Sequence, residues 1–203
     1  YLRACAAVAD RLVEAGGAAP QLITPRFAPP FQGRRTLVMA GRAGQKVIST
    51  GVLLGKAAML SGLHAMQRDD YPVTVMTGHS VADIVLEDRE IHTFVVEVPD
   101  AVLISAPEGR AQLAARLPQL PPTTRIFTIP DLADLDTPAR VSVLDPDAYG
   151  LRLTRTNTAL ALAGWYVQQT GVLSMDALVA AVDLIDRPAV REENMKTLAP
   201  FLQ

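Results

Sequence analysis

Thr36-Leu37-Val38-Met39-Ala40, running straight into Gly41-Arg42-Ala43-Gly44-Gln45-Lys46-Val47, is the stretch on which the fold turns. Five uncharged, mostly apolar residues suit a strand covered on both faces, as in a parallel sheet between helices. Gly41 and Gly44 then frame a tight loop. Beyond it Val47, Val52, Leu53, Ala57 and Leu60 fall where a helix over residues 45–63 would rest on that sheet. Strand, glycine-containing turn and helix, in that order, make the Rossmann-like opening unit of an α/β domain.

Downstream the same alternation continues. Residues 71–91 read as extended, with Val73, Val75, Val81, Ile84 and Val85 supplying strand propensity and Gly78 interrupting the run. Residues 101–105 are a second buried strand, followed by Pro107-Glu108 as the start of a helix reaching about residue 117. Short strands are expected at 125–129 and 140–144. The result is a three-layer α/β domain with a mostly parallel sheet. The last fifty residues predict helices: 157–169, with Gly164 allowing close packing, then one capped by Ser174 with Asp176 in its first turn, and a last one over 189–198. Upstream, residues 2–15 predict an amphipathic helix stopped by Gly16-Gly17, and Pro20, Pro25, Pro29 and Pro30 rule out regular structure before Gly33. Residues 1–33 thus form an arm, and 34–203 the domain proper.

Composition narrows the function. Nineteen basic against 21 acidic residues leave a net charge of −2, which offers no broad attraction to nucleic acid or anionic membrane. No apolar run is long enough to span a bilayer and no signal sequence opens the chain, so a cytoplasmic protein is expected. The single cysteine, Cys5, excludes an internal disulfide and a cysteine-ligated iron–sulfur cluster carried by this chain alone.

Two loops carry candidate chemistry. Gly41, Arg42, Ala43, Gly44, Gln45 and Lys46 form a turn at a helix N-terminus, where free N–H groups and two cationic side chains suit a phosphate. The turn is neither G-x-G-x-x-G nor a P-loop, and an ordinary strand-to-helix turn accounts for it equally well. Thr77, Gly78, His79 and Ser80 form the second loop, read either as a polar bend facing water or as a ligand-facing loop beside the first. His79 has no carboxylate nearby in sequence to orient it as an acid–base group. The acidic clusters Asp69-Asp70 and Glu87-Asp88-Arg89-Glu90 are expected in solvated turns, and His64 and His92 show no metal-ligand spacing.

Taken together, residues 35–203 resemble the gamma subunit of pyruvate:ferredoxin and related 2-oxoacid:acceptor oxidoreductases. That family opens with a strand and a G-x-G-G-Q-G-V loop. Gly41, Gly44, Gln45 and Val47 match it, while Ala43 and Lys46 replace glycines. Its Y-G-x-E-x-R-G-G segment is matched by Tyr71 and Gly78, with departures at Pro72, Thr74, Met76 and Thr77. Towards the C-terminus the matches are Asn157 with Gly164, Thr170-Gly171-Val172-Leu173-Ser174, and Glu192-Glu193-Asn194 with Leu198. The resemblance implies a complex that oxidatively decarboxylates a 2-oxoacid to an acyl-coenzyme A. Thiamine diphosphate with Mg would then sit on alpha and beta subunits, 4Fe-4S clusters on an iron–sulfur subunit, and electrons would leave to ferredoxin or another acceptor. This chain would contribute to the coenzyme A side of the cleft through the two loops. Two other readings stay open: a free-standing nucleotide-binding protein with Asp69 or Asp70 on a ribose, and a purely architectural subunit of the same complex.

Overall fold

The computed structural model describes residues 23–70 and 78–202; the helix expected over 2–15, Cys5 and Thr77 lie outside the described residues. Within them a six-stranded sheet has the order β2-β3-β1-β4-β5-β6. Its strands are β1 (Arg34–Arg42), β2 (His64–Asp70), β3 (His79–Glu87), β4 (Ala101–Ile104), β5 (Arg125–Thr128) and β6 (Arg140–Val143). β1, β4, β5 and β6 run parallel, while β3 is antiparallel to both β1 and β2.

Helices cover both faces, as the alternation of elements required. One face carries α1 (Val47–Leu60), α3 (Thr158–Thr170), α4 (Met175–Asp183) and α5 (Pro188–Leu198). The opposite face carries the short α2 (Pro107–Gln112). Alternation along β1 sorts its side chains between two cores: Leu37 and Met39 enter the larger one under α1 and α3, Val38 and Ala40 the smaller one under α2. In the larger core Phe127 meets Trp165 and Tyr166 edge-on, with ring centroids 5.4 and 5.1 Å away.

The helical third behaves as its sequence asked. A Cβ added at Gly164 would lie 2.7 Å from Leu198 Cδ2 and 3.0 Å from Phe201, so glycine lets α3 and α5 close on each other. Ser174 Oγ accepts from Ala177 N at 3.1 Å, capping α4. The described end of the arm lies on its own domain: Arg26 N and Phe27 N donate to Leu60 O, and Ile23, Phe27 and Phe31 pack on the larger core.

Three expectations need correcting. Asp69 and Asp70 end a strand, β2, and not a loop. Glu87 is a buried strand residue neutralised by Arg34 (3.3 Å) and Arg89 (2.9 Å), so only the residues after it turn in solvent. The helix begun by Pro107 ends at Gln112, short of residue 117, with a 3-10 turn over Leu117–Gln119 after it.

Candidate functional site

Antiparallel pairing of β1 with β3 sets Gly41 opposite Ser80 and Arg42 opposite His79, so the register alone brings the two candidate loops together. Ala43 N donates to Gly78 O at 2.9 Å and ties them. Gly78 is left-handed (φ 82°), as is Gly44 (φ 83°). Ser80 is buried, while His79 stands half-buried with Nε2 3.5 Å from Asp70 Oδ2. The carboxylate that sequence did not place beside His79 arrives across the β2–β3 pair. The alignment makes no hydrogen bond, and Nε2 is buried without a partner.

Gln45 is the keystone of the first loop. Its buried Oε1 accepts from Arg42 N (2.8 Å) and Ser105 Oγ (3.2 Å), and its Nε2 reaches Ser105 O at 3.4 Å. These bonds fasten the end of β1 to the end of β4. A Cβ at Gly41 would lie 2.2 Å from Ser105 Oγ and 2.8 Å from Gln45 Oε1, so any side chain there would displace the Ser105–Gln45 pair.

The two positions where this chain lacks the resembling family's glycines differ physically. Ala43 is buried without a left-handed backbone, so its methyl group meets no conformational penalty. Lys46, the residue before α1, is the one described non-glycine residue with positive φ (60°). A left-handed backbone costs an L-residue roughly 1–2 kcal/mol. Lys46→Gly is therefore expected to unfold at higher denaturant than Lys46→Ala, by about 1 kcal/mol, the reverse of the order inside a helix.

The charge of Lys46 does not stand free. Nζ meets Glu193 Oε2 on α5 at 2.8 Å, and Glu193 Oε1 accepts from Thr156 Oγ1 at 3.0 Å. The hydrogen bonds from Lys46 and Thr156 hold the Glu193 carboxyl below the usual glutamate range. A lowered folded-state value means stability present above the ordinary glutamate range, about pH 4.3, and lost as pH falls through the lower value. Glu193→Gln should remove that part of the acid dependence in urea unfolding curves. The pair is half-exposed, so the loss near pH 7 should stay within about 1 kcal/mol.

A cleft of about 450 Å³ opens over the carboxyl ends of β1, β4 and β5. Here the chain leaves β1 for a helix on one face and leaves β4 for a helix on the other. Such a switch point is where open α/β sheets take ligands. Arg42, Gln45, Ser105, Glu108, Asp131 and Arg155 line it, with Ile129 and Leu153 among its apolar residues. Arg42 Nε pairs with Glu108 at 3.2 Å, and Arg155 Nη2 donates to Ala43 O at 2.9 Å. Of the described candidate residues Arg42 and Gln45 line this cleft; Gly41, Ala43, Gly44, Lys46, Gly78, His79 and Ser80 do not. Sequence reasoning missed Arg155, Glu108 and Asp131. Glu108 had a signal in its place directly after a buried strand, but Arg155 lies 112 residues from the loop it braces.

The lining carries two guanidinium groups, Arg42 and Arg155, and two carboxylates, Glu108 and Asp131. Among its hydroxyls, Ser105 Oγ is committed to Ala40 O and Gln45, and Thr158 Oγ1 to Thr154 O. No three His, Cys, Asp or Glu converge as metal ligands among the described residues.

Residues 36–199 match the family described as Pyruvate ferredoxin/flavodoxin oxidoreductase. The chain is 28% identical over 174 residues to the 2-oxoglutarate synthase subunit KorC of Methanothermobacter marburgensis, covering 80% of this chain and 91% of that one. The gamma subunit of a keto/oxoacid ferredoxin oxidoreductase from Geobacter sulfurreducens superposes with a TM-score of 0.62 at 23% identity, over 83% of this chain and 94% of that one. A 2-oxoglutarate:ferredoxin oxidoreductase from Magnetococcus marinus, with 2-oxoglutarate, coenzyme A and succinyl-CoA bound, gives a TM-score of 0.68 at 14% identity, over 85% of this chain and 31% of that one. At these identities the structures share the fold.

Proposed function

Because the chain belongs to the pyruvate ferredoxin/flavodoxin oxidoreductase family, we propose that it is the gamma subunit of a complex that converts a 2-oxoacid to an acyl-coenzyme A, and that its cleft forms part of the coenzyme A side. One observation carries the second half of this reading. Arg42 and Gln45 of the loop matching the family's glycine-rich pattern line the switch-point cleft together with Arg155, alongside the carboxylates Glu108 and Asp131. Two guanidinium groups give a donor set that suits phosphate esters, which coenzyme A carries.

The chemistry of bond cleavage and electron transfer is assigned to other chains. One cysteine in 203 residues does not suffice to ligate a 4Fe-4S cluster. Thiamine-binding alpha and beta subunits and an iron–sulfur subunit would supply these groups and pass electrons to ferredoxin or another acceptor. Residues 34–203 would then act as one gamma-type domain. His79 and Ser80, which open β3 and do not lie in a loop as the sequence suggested, serve to seat the first loop, through the β1–β3 pairing and the Ala43–Gly78 bond.

The free-standing dinucleotide reading gains no support. It needs an acidic residue at the end of a second strand next to the first. Here β3 separates β2 from β1, and Asp69 and Asp70 engage Gln67, His79 and Gln112.

Purification of the tagged full chain from its native cells tests the assignment. Thiamine-binding and iron–sulfur polypeptides should elute with it in fixed ratio. Recovery free of any companion protein would refute it.

A further inference from the structure

β2 closes one side of the sheet. Among the described residues it pairs with β3 alone, and its outer row of backbone donors and acceptors meets nothing. Unpaired edges invite further pairing, and proteins usually blunt them with charged side chains, prolines, bulges or short length. β2 is seven residues long, contains neither proline nor glycine, and carries its charges, Arg68, Asp69 and Asp70, in its last three positions.

The helix above this edge is open on the same side. α1 packs on β2 and β3 alike: a Cβ at Gly51 would meet Gln67 Oε1 of β2 at 2.6 Å and Ile84 Cδ1 of β3 at 3.1 Å. Its outward side carries apolar residues beside Ser49 and Lys56, with Val52 45% and Met59 40% exposed and Ile48 half-buried. On the other face of the same strand Met66 is 40% exposed.

The residue pattern of β2 complements itself. Antiparallel pairing keeps each side chain on its own face only when the two-fold axis passes through a residue. Centred on Gln67, the register overlaps the whole strand, His64–Asp70. It sets His64 opposite Asp70, Met66 opposite Arg68 and Ala65 opposite Asp69, so no like charges meet. Centring on Arg68 or Asp69 would oppose two guanidinium groups or two carboxylates, which is unfavourable.

The same axis places the helices correctly. Strands lie about 4.8 Å apart, so a helix above the midline of β2 and β3 stands about 4.8 Å from a seam beyond β2, and about 9.6 Å from its symmetry mate. Packed helices prefer roughly 8–10 Å. Gly51 marks the level of Gln67, so Val52 would meet its own copy at the axis, with Ile48 against the aliphatic stem of Lys56.

We propose that a second copy of this chain pairs antiparallel with β2 across a two-fold axis at Gln67, joining two six-stranded sheets and packing α1 on its mate. The surface lies on the far side of β1 from β4–β6, so this proposal stands or falls independently of the function assigned to the cleft.

The test uses the full chain with Cys5→Ser. Sedimentation equilibrium should give twice the 21.8 kDa monomer mass. Val52→Glu, an exposed substitution that leaves the core intact, sets two carboxylates at the axis and should weaken association by at least about tenfold. Residues directly opposite in an antiparallel pair lie within disulfide reach. Chains bearing His64→Cys mixed with chains bearing Asp70→Cys, both exposed positions, should therefore form a disulfide-linked heterodimer on mild oxidation. A monomeric parent chain, a dimer indifferent to Val52→Glu, or a mixture without the 64–70 crosslink would each overturn the proposal.

Discussion

Gly109→Ala is expected to destabilise the chain by about 3 kcal/mol or more, a large share of the stability of an ordinary domain. Gly109 sits in the first turn of α2, where a methyl group would lie 2.4 Å from Gly41 N, 2.5 Å from Ala40 C and 2.7 Å from Ala40 O. All three are backbone atoms at the end of β1, hydrogen-bonded on either side to β3 and β4. No side chain can swing away to make room. Either α2 lifts off the sheet or the glycine loop shifts, and Glu108 leaves Arg42 in both cases. Gly55→Ala is the control: its new methyl would meet only Ala65 Cβ at 3.6 Å, an ordinary contact. That variant should be unchanged or stabilised by up to about 1 kcal/mol through helix propensity. Chemical denaturation of the two variants reads the contrast directly.

Arg42→Ala should act on function with little effect on folding. The side chain is 52% exposed and its ion pair with Glu108 is open to solvent, so the stability change should remain below about 1 kcal/mol. If the cleft holds part of coenzyme A, removal of one charge-assisted contact should cost roughly 1.5–3 kcal/mol of binding. In the assembled complex this appears as a rise of roughly ten- to a hundredfold in the apparent KM for coenzyme A, with kcat close to that of the parent. A purely architectural subunit predicts no change in either constant. Arg42→Lys separates charge from geometry, because an ammonium group keeps the charge and loses the planar fork.

What the sequence disclosed and what it concealed follow from the range of the interactions involved. The strand and turn around Gly41–Gln45, the cap at Ser174 and the close approach at Gly164 rest on neighbours in sequence or on glycine itself, and each was readable. β2 was not: His64-Ala65-Met66-Gln67-Arg68-Asp69-Asp70 holds two apolar residues and two adjacent carboxylates, and it is a strand because β3 supplies a partner. The insertion of β3 between β1 and β2 is likewise a matter of distant pairing. Buried carboxylates were hidden for the same reason. Asp83 looks unfit for a central strand until Arg68 is found 2.6 Å and Arg116 3.9 Å from it. At the site, the composition of the glycine loop was visible, but its supports lie 60 residues away in Ser105, 112 in Arg155 and 147 in Glu193. Lys46, expected to add charge to the ligand loop, pairs across that last distance with Glu193.

The central claim is that this polypeptide completes a catalyst whose redox groups reside on its neighbours. Reconstitution from separately purified subunits measures it directly: 2-oxoacid-dependent, coenzyme A-dependent reduction of a ferredoxin-type acceptor, with and without this chain. The account predicts no turnover from this chain alone, and turnover by the full set that falls sharply when the chain is withheld. Oxidation of a 2-oxoacid by this polypeptide in isolation, or equal rates with and without it, would contradict the account.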